Sequence, residues 1–270
     1  MTKIISRKIT IRAGAAALLV CFAVIALAQT PAPPPAGARG VIRLRVRLKI
    51  GEATRGLSRK RFFLIKGTLA DNKALIESIE QRPVVSRDCY YRGIGASDAL
   101  IHWLKENDCE SVYCREVEEK DLEGATAVPE FQHSVAAGEK EFQSRDLARK
   151  WLTVNLSEEI RNGFYKRQQA GLQALLKQAE EVSRAPVMSV MTDRNGTGYF
   201  TDLEPGTYVI SNIMPTEAGE TTELWNCEVN VKAGDLATEK PFLISNRKDK
   251  NVKCVAVEKP LPTCASQVTK

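Results

Sequence analysis

Leu44, Val46, Leu48 and Ile50 alternate with Arg43, Arg45, Arg47 and Lys49 in VIRLRVRLKI, the two-residue period of a strand with one buried face. GEATRGLS then reads as a turn, and KRFFLIKG, Lys60 to Gly67, predicts a second strand. From Ala70 the apolar spacing becomes helix-like and stays so to about Ala185. Within it, SDALIHWLKEN from Ser97 offers a capping serine, then Asp98, then Leu100, Ile101 and Leu104 on one face. Ser144 to Leu152 predicts another helix. The longest begins at Ser157, with Glu158 and Glu159 in its first turn, where the helix dipole favours negative charge. It carries Ile160, Phe164, Leu172, Leu175, Leu176, Ala179 and Val182 to one side as far as Arg184, and Pro186 stops it. That stripe is read as the side that packs on its own domain.

From Val187 the period returns to two. VMSVMTD, TGYFTDL, TYVISNI, LWNCEVNV, KPFLIS and NVKCVAV are short strand patterns separated by Gly, Pro, Asn and Asp clusters, as in a sandwich or small barrel. Two strands alone cannot form a stable domain. The strands of 41–69 are therefore expected in one sheet system with those of 186–258, the mostly helical 70–185 being an insertion between them. The fold class this implies is α+β: an antiparallel sandwich with a large α-helical insertion, followed by a tail over 259–270.

The chain's first residues change the charge picture. Lys3, Arg7, Lys8 and Arg12 precede an apolar run, Ala13 to Ala28, that ends in Ala-Leu-Ala. A basic start, a short apolar stretch and small residues at the end make a secretory signal over 1–28, with Gln29 as the expected mature start. Those four residues are among 39 cations set against 33 acids and a net charge of +6. Without them the balance falls to about +2, which removes a general case for nucleic-acid binding. QTPAPPPAGARG, 29–40, is an extended proline-rich spacer. No other stretch is long and apolar enough to predict a membrane span.

Export also decides how the cysteines are read. Cys89, Cys109, Cys114, Cys227, Cys254 and Cys264 form an even set beyond the signal, so disulfides are expected. No CxxC pair exists and the only histidines are His102 and His133, which disfavours zinc. Fifteen pairings are open. Three cysteines on each side of the central segment suggest pairing within each region.

TDRNGTGYFTDLEPGTY, Thr192 to Tyr208, fits two descriptions. As a calcium loop it would present Asp193, Asn195, Thr197 and Glu204, with the Tyr199 carbonyl, Thr201, and Gly198 at the sharp turn. The loop needs a helix on each side, and β-prone residues precede it while Pro205-Gly206 follows. As a β-hairpin it uses Asn195-Gly196, a strong two-residue turn. The hairpin is preferred, leaving a weak calcium site as an alternative.

NG-x₃-F-x₂-L-x-PG-x-Y from Asn195 to Tyr208, RLKIGEATRGLSRKRFFLIKG and KPFLISN together resemble prealbumin-like β-sandwiches. These include carboxypeptidase regulatory-like domains and the B-type repeats of the collagen adhesin Cna. The resemblance covers 41–67 and 187–247; Gly198 departs from it, standing where a bulky apolar residue is usual. It implies a scaffold fold. It also raises the lysine–asparagine crosslink of some such repeats, for which Lys49 and Asn246 match by position. The assisting acid would fall at Asn212, which cannot shuttle a proton, and Lys49 has the outward parity of the arginines.

No HExxH, GxSxG or phosphate-cradling glycine loop occurs, His102 reads as a surface or packing residue, and no cofactor is expected. Arg43, Arg45, Arg47 and Lys49 would stand in a row on one strand face, with Arg55 and Arg59 nearby, and such a row attracts an anionic partner. Against this, the helical insertion would cover that face and pair the row with its glutamates. The expected role is a secreted or periplasmic, non-catalytic binding or structural module of a bacterial envelope, presenting the insertion to a protein or anionic glycan partner. An envelope enzyme with its site between insertion and sandwich, or a weak calcium-dependent adhesion module, are the alternatives.

Overall fold

The computed structural model describes residues 38–235, 240–247 and 252–264. The expected signal, most of the spacer and the end of the tail lie outside the described residues. Three strands open the fold: β1 (Gly40–Ile50), β2 (Ala53–Gly56) and β3 (Arg61–Lys66). Helices α1 (Lys73–Glu80), α2 (Arg87–Gly93), α3 (Asp98–Glu106), α4 (Pro129–Phe142), α5 (Arg145–Lys150), α6 (Phe164–Gln168) and α7 (Leu172–Ser183) follow. Strands β4 (Met188–Met191), β5 (Thr197–Leu203), β6 (Gly206–Ser211), β7 (Thr216–Ala218), β8 (Thr221–Val231), β9 (Phe242–Ser245) and β10 (Lys253–Pro260) complete it. This is the α+β class, with helices gathered between two groups of strands.

The strands make two sheets. In the first, β1 is central: Leu44 pairs with Gly198 of antiparallel β5 on one edge and with Phe242 of parallel β9 on the other. The second runs β10-β8-β6-β3-β4, with β7 beside β8. Leu44, Val46 and Leu48 of β1, with Phe200 and Ile244, meet Phe62, Leu64, Ile210, Trp225 and Cys227 of the second sheet in one core. Side chains from two inner faces interlock here as in other sandwiches.

The two sheets differ on their outer faces, and their sequences say why. β1 alternates strictly, so its outer face is polar. β3 carries the run Phe62-Phe63-Leu64-Ile65, all buried, which a strand can satisfy only when both faces are covered. Phe63 and Ile65, with Leu224, pack beneath Leu75 and Ile79 of α1 and Leu172, Leu175 and Ala179 of α7. The remaining helices build a core of their own around Leu100, Trp103, Leu104, Phe131, Leu152 and Phe164. There Trp103 meets Phe131 edge-on, ring centres 5.0 Å apart.

Helix starts follow their caps: Ser97 accepts the N–H of Leu100 at 3.1 Å and Ser144 that of Leu147 at 3.4 Å. The single helix expected over 157–184 is instead three pieces. A wide turn at Glu159–Gly163 leads into α6, and Gly171, at φ +74°, breaks the chain before α7. The break has a packing reason: Phe164 belongs to the helical core and Leu172 to the sheet-covering layer, so one straight stripe cannot serve both. Val182, expected on that stripe, is exposed. Two short strands were missed, β2 in a turn-like ATRG and β7, because each gains strand geometry only from its longer neighbour.

The expected hairpin at Asn195-Gly196 is also corrected. β4 pairs with β3 in the second sheet, whereas β5 pairs with β1 in the first, so the turn carries the chain from one sheet to the other. Only Gly196 takes positive φ, +76°. A Cβ there would collide with the Val46 carbonyl oxygen, which fixes glycine at this position. Gly198 has an equally local reason: a Cβ would press within 3.1 Å of the Val190 side chain from β4.

Three disulfides are formed. Cys109–Cys114 closes a loop among the helices, and Cys227–Cys254 joins directly opposed positions of β8 and β10. Cys89–Cys264 departs from the expected pairing within regions, tying α2 to the chain just beyond β10 across 175 residues. Sequence order is a poor guide here because the fold brings both ends of the helical segment back to the second sheet.

Candidate functional site

Strand geometry puts Arg43, Arg45, Arg47 and Lys49 on the outer face of the first sheet, opposite in parity to Leu44, Val46 and Leu48. Alternate residues lie about 6.6 Å apart, so the row is roughly 20 Å long. β5 flanks it with Tyr199 opposite Arg43 and Thr197 opposite Arg45. β9 flanks it with Leu243 beside Arg45 and Ser245 beside Arg47. Tyr199 is 49% exposed. The helical segment covers the other sheet; on this face Arg47 is exposed and Arg43 and Arg45 are half-buried. Among the described residues Arg43, Arg45 and Arg47 form no ion pair, while Lys49 Nζ lies 3.8 Å from Glu52 on the same strand turn. Arg55 does not extend the row: it pairs opposite Leu48 and has the inward parity. Arg59 sits in the turn before β3, at φ +56°.

Ionisable groups at the boundary between helices and sheets were not singled out by the sequence. Lys60, at the start of β3, is buried and holds Glu110 at 2.5 Å. Burial alone would lower its pKa, but the charges of Glu110, Asp108 and Glu217 outweigh that and hold it above the ordinary lysine value. Arg87 is buried beside it and donates its guanidinium to the Cys109 carbonyl at 3.2 Å. The Arg87 backbone N–H meets the Glu217 carboxylate at 2.8 Å. Burial raises the pKa of Glu217, with Arg87 opposing it. The cavity lined by Lys60, Glu110, Tyr165, Met191 and Thr216 is about 20 Å³, room for one water. Charged residues at strand ends carry no periodic signal, so this cluster was illegible in the chain.

The other candidate residues are placed by local structure. Asp193 accepts the backbone N–H groups of Asn195 and Thr197, both at 2.8 Å, and so caps its own turn. Glu204 pairs with Lys66 at 2.8 Å and Arg39 at 3.4 Å. The seven residues of β5 separate them, an extended length near 20 Å, so Asp193 and Glu204 do not converge on one ion. Among the described residues no group of three or more metal-ligating side chains occurs. His102 bonds Glu106 at 3.1 Å on the exposed side of α3.

The lysine–asparagine pair meets through backbone. Asn246 accepts the Lys49 N–H and donates to the Lys49 carbonyl, each at 2.9 Å, while the lysine side chain points outward. Asn212 is buried, donating to the Glu223 carbonyl at 2.9 Å and accepting the Trp225 N–H at 2.8 Å; it stitches β6 to β8. The acid near Asn246 is Glu223, whose pKa the Asn246 side chain lowers. Parity reveals Glu223: it alternates with Trp225 and Cys227 in TTELWNCEVNV, so a carboxyl on the core side was legible there.

Glu223 is 5% exposed and stands opposite Glu258 of β10. Burial, reinforced by Glu258, lifts its pKa from 4.5 to about 7, against the Asn246 side chain, which lowers it. The native state thus keeps a proton that the unfolded chain releases. The stabilisation is complete below pH 4.5 and is lost as pH rises through 7. Glu223→Gln is expected to flatten stability between these values and to be more stable than the parent at pH 8, on the order of 1–2 kcal/mol. Urea melts across pH 4–8 read this directly; Glu217, raised in the same direction, leaves a residual slope of the same sign.

No protein-family model matches the chain. No curated protein matches it. Among solved structures it is similar to the pilus backbone RrgB of Streptococcus pneumoniae, at 11% identity and a TM-score of 0.23. That likeness covers 77% of this chain and 41% of the pilus protein, so the chain spans less than half of it. An overlap of that quality fixes neither strand order nor role. Among the described residues, no helix is long and apolar enough to cross a membrane.

Proposed function

We propose that this chain is an exported, non-catalytic binding or structural module of a bacterial envelope. Its scaffold is a prealbumin-like sandwich, made by 41–69 with 186–258, and 70–185 is a helical insertion held by disulfides. The observation that carries the reading is the division of faces: helices cover the outer face of the second sheet, and the Arg43–Arg47 row on the first is left without acidic partners among the described residues. Three disulfides suit an oxidising compartment. The ionisable groups at the helix–sheet boundary are paired with one another around room for one water, which favours a structural role for them over a catalytic one.

Expression of the full chain in a bacterium with a periplasm, followed by fractionation, N-terminal sequencing and intact mass, tests this. The expected result is an exported protein that begins at Gln29 and gains mass on reduction and alkylation corresponding to six cysteines. Retention in the cytoplasm with an intact first segment and free thiols would overturn it. A branched peptide joining Lys49 to Asn246 in a proteolytic map, short by one ammonia, would show a crosslink instead of the backbone pairing described above; an ammonia lost from Gln29 alone is cyclisation of an N-terminal glutamine.

A further inference from the structure

Resting on the exported-module reading, we propose that the outer face of the first sheet binds a linear acidic polysaccharide, laid along β1 over the Arg43–Arg45–Arg47 row. Three features of the face specify this class. First, its charge is a line and not a plane. Three arginines at alternate residues of one strand, about 6.6 Å apart along the backbone, match a polymer bearing repeated carboxylates or sulfates along its length. Arginine is suited to it, because its planar fork bonds such oxoanions through two parallel N–H groups.

Second, the flanks are made for sugar. Thr197 on β5 and Ser245 on β9 place hydroxyls beside the row. Tyr199, half exposed and opposite Arg43, offers an aromatic face to the C–H side of a sugar ring at one end. Third, the competing polyanions ask for something else. Single-stranded nucleic acid is held by successive aromatic platforms, and this face has one tyrosine. An anionic bilayer is met by a broad basic cluster or a basic amphipathic helix, and this row is one strand wide. No acidic side chain among the described residues pairs with Arg43, Arg45 or Arg47; Arg47 is exposed, Arg43 and Arg45 are half-buried with Nε atoms that have no hydrogen-bond partner, and Lys49 is already shared with Glu52.

The test uses the full chain purified from the exported fraction and four probes. These are polygalacturonate, neutral dextran, a single-stranded DNA oligonucleotide, and phosphatidylcholine vesicles containing phosphatidylglycerol. R43T/R45T/R47T keeps strand propensity. K73A/K140A/K177A removes the same charge from exposed helix positions. Polygalacturonate is expected to bind, and dextran not. Affinity should fall as salt rises, and the arginine variant should lose at least about tenfold while the lysine variant changes by less than about threefold. Tyr199→Ser should weaken binding with the salt dependence unchanged.

Equal losses in the two triple variants would reduce the effect to net charge and overturn the proposal. So would tighter binding of DNA or vesicles than of polygalacturonate, or an absence of polygalacturonate binding by a protein whose melt matches the parent. Retention in the cytoplasm is a separate outcome, and it would count against the exported-module reading whatever the probes show.

Discussion

Replacing Cys89 and Cys264 together by serine is expected to lower the unfolding free energy by about 3–5 kcal/mol, the largest loss for any of the three bridges. The bridge closes 175 residues of sequence, so in the chain-entropy account it removes far more freedom from the unfolded state than Cys109–Cys114, five residues apart. It also holds α2 against the end of β10 at the helix–sheet boundary. Losing it leaves polar ties such as Arg87–Glu217, Lys60–Glu110 and Lys259 to the Glu80 carbonyl. Urea melts of the oxidised proteins check this, with C109S/C114S as the comparison, expected to lose roughly half as much. If the short bridge proves the costlier, native-state strain or residual unfolded structure governs, and the loop-length reasoning fails.

The second large effect is expected at the Lys60–Glu110 pair. Glu110→Ala should destabilise by about 3 kcal/mol, because it strands a buried ammonium. Lys60 has 9% of its side chain exposed and Glu110 27%, with 2.5 Å between the charges. The attraction that keeps Lys60 charged is therefore also what makes it dependent on its partner. Substituting both, as K60M/E110L, should recover most of the loss, since apolar groups of similar volume replace a pair whose desolvation nearly cancels its attraction. A double-mutant cycle measured by chemical denaturation gives the coupling. Additive effects of the two single substitutions would show that the pair is not coupled and that Lys60 is satisfied by other groups.

Much of the strand content was legible. The segments VIRLRVRLKI, RFFLIK, TGYFTDL, TYVIS and LWNCEVNV all lie in strands, since each side chain in them reports whether its face is buried. The contrast between β1 and β3 was legible as well. Strict Arg–Leu alternation states that one face meets water, and Phe62-Phe63-Leu64-Ile65 states that both faces are covered. Taken together they say which strand needs a cover on its second face, and not what supplies it. The basic row was legible as a row, and the Glu223 parity was available in the same way.

Other features had no local signature. β2 and β7 are strands because a neighbour pairs with them, and their own residues read as turns. The Asn195-Gly196 turn looks the same whether it returns the chain within a sheet or passes it to the opposite one. The partners of β4 and β5, far along the chain, make that choice. Cys89–Cys264 and Lys60–Glu110 join positions whose nearness depends on how the helical segment folds back.

By itself, then, the sequence determined what each segment asks of its surroundings: one wet face for β1, two dry faces for β3, glycine at 196, caps at Ser97 and Ser144. These follow from side-chain period and backbone sterics, which act over a few residues. Only the tertiary structure decided which surfaces answered those demands. The helices went to the second sheet, where Phe63, Ile65 and Leu224 had apolar area to bury. Arg43, Arg45 and Arg47 were left on the outer face of the first sheet, which offers no comparable apolar area to bury.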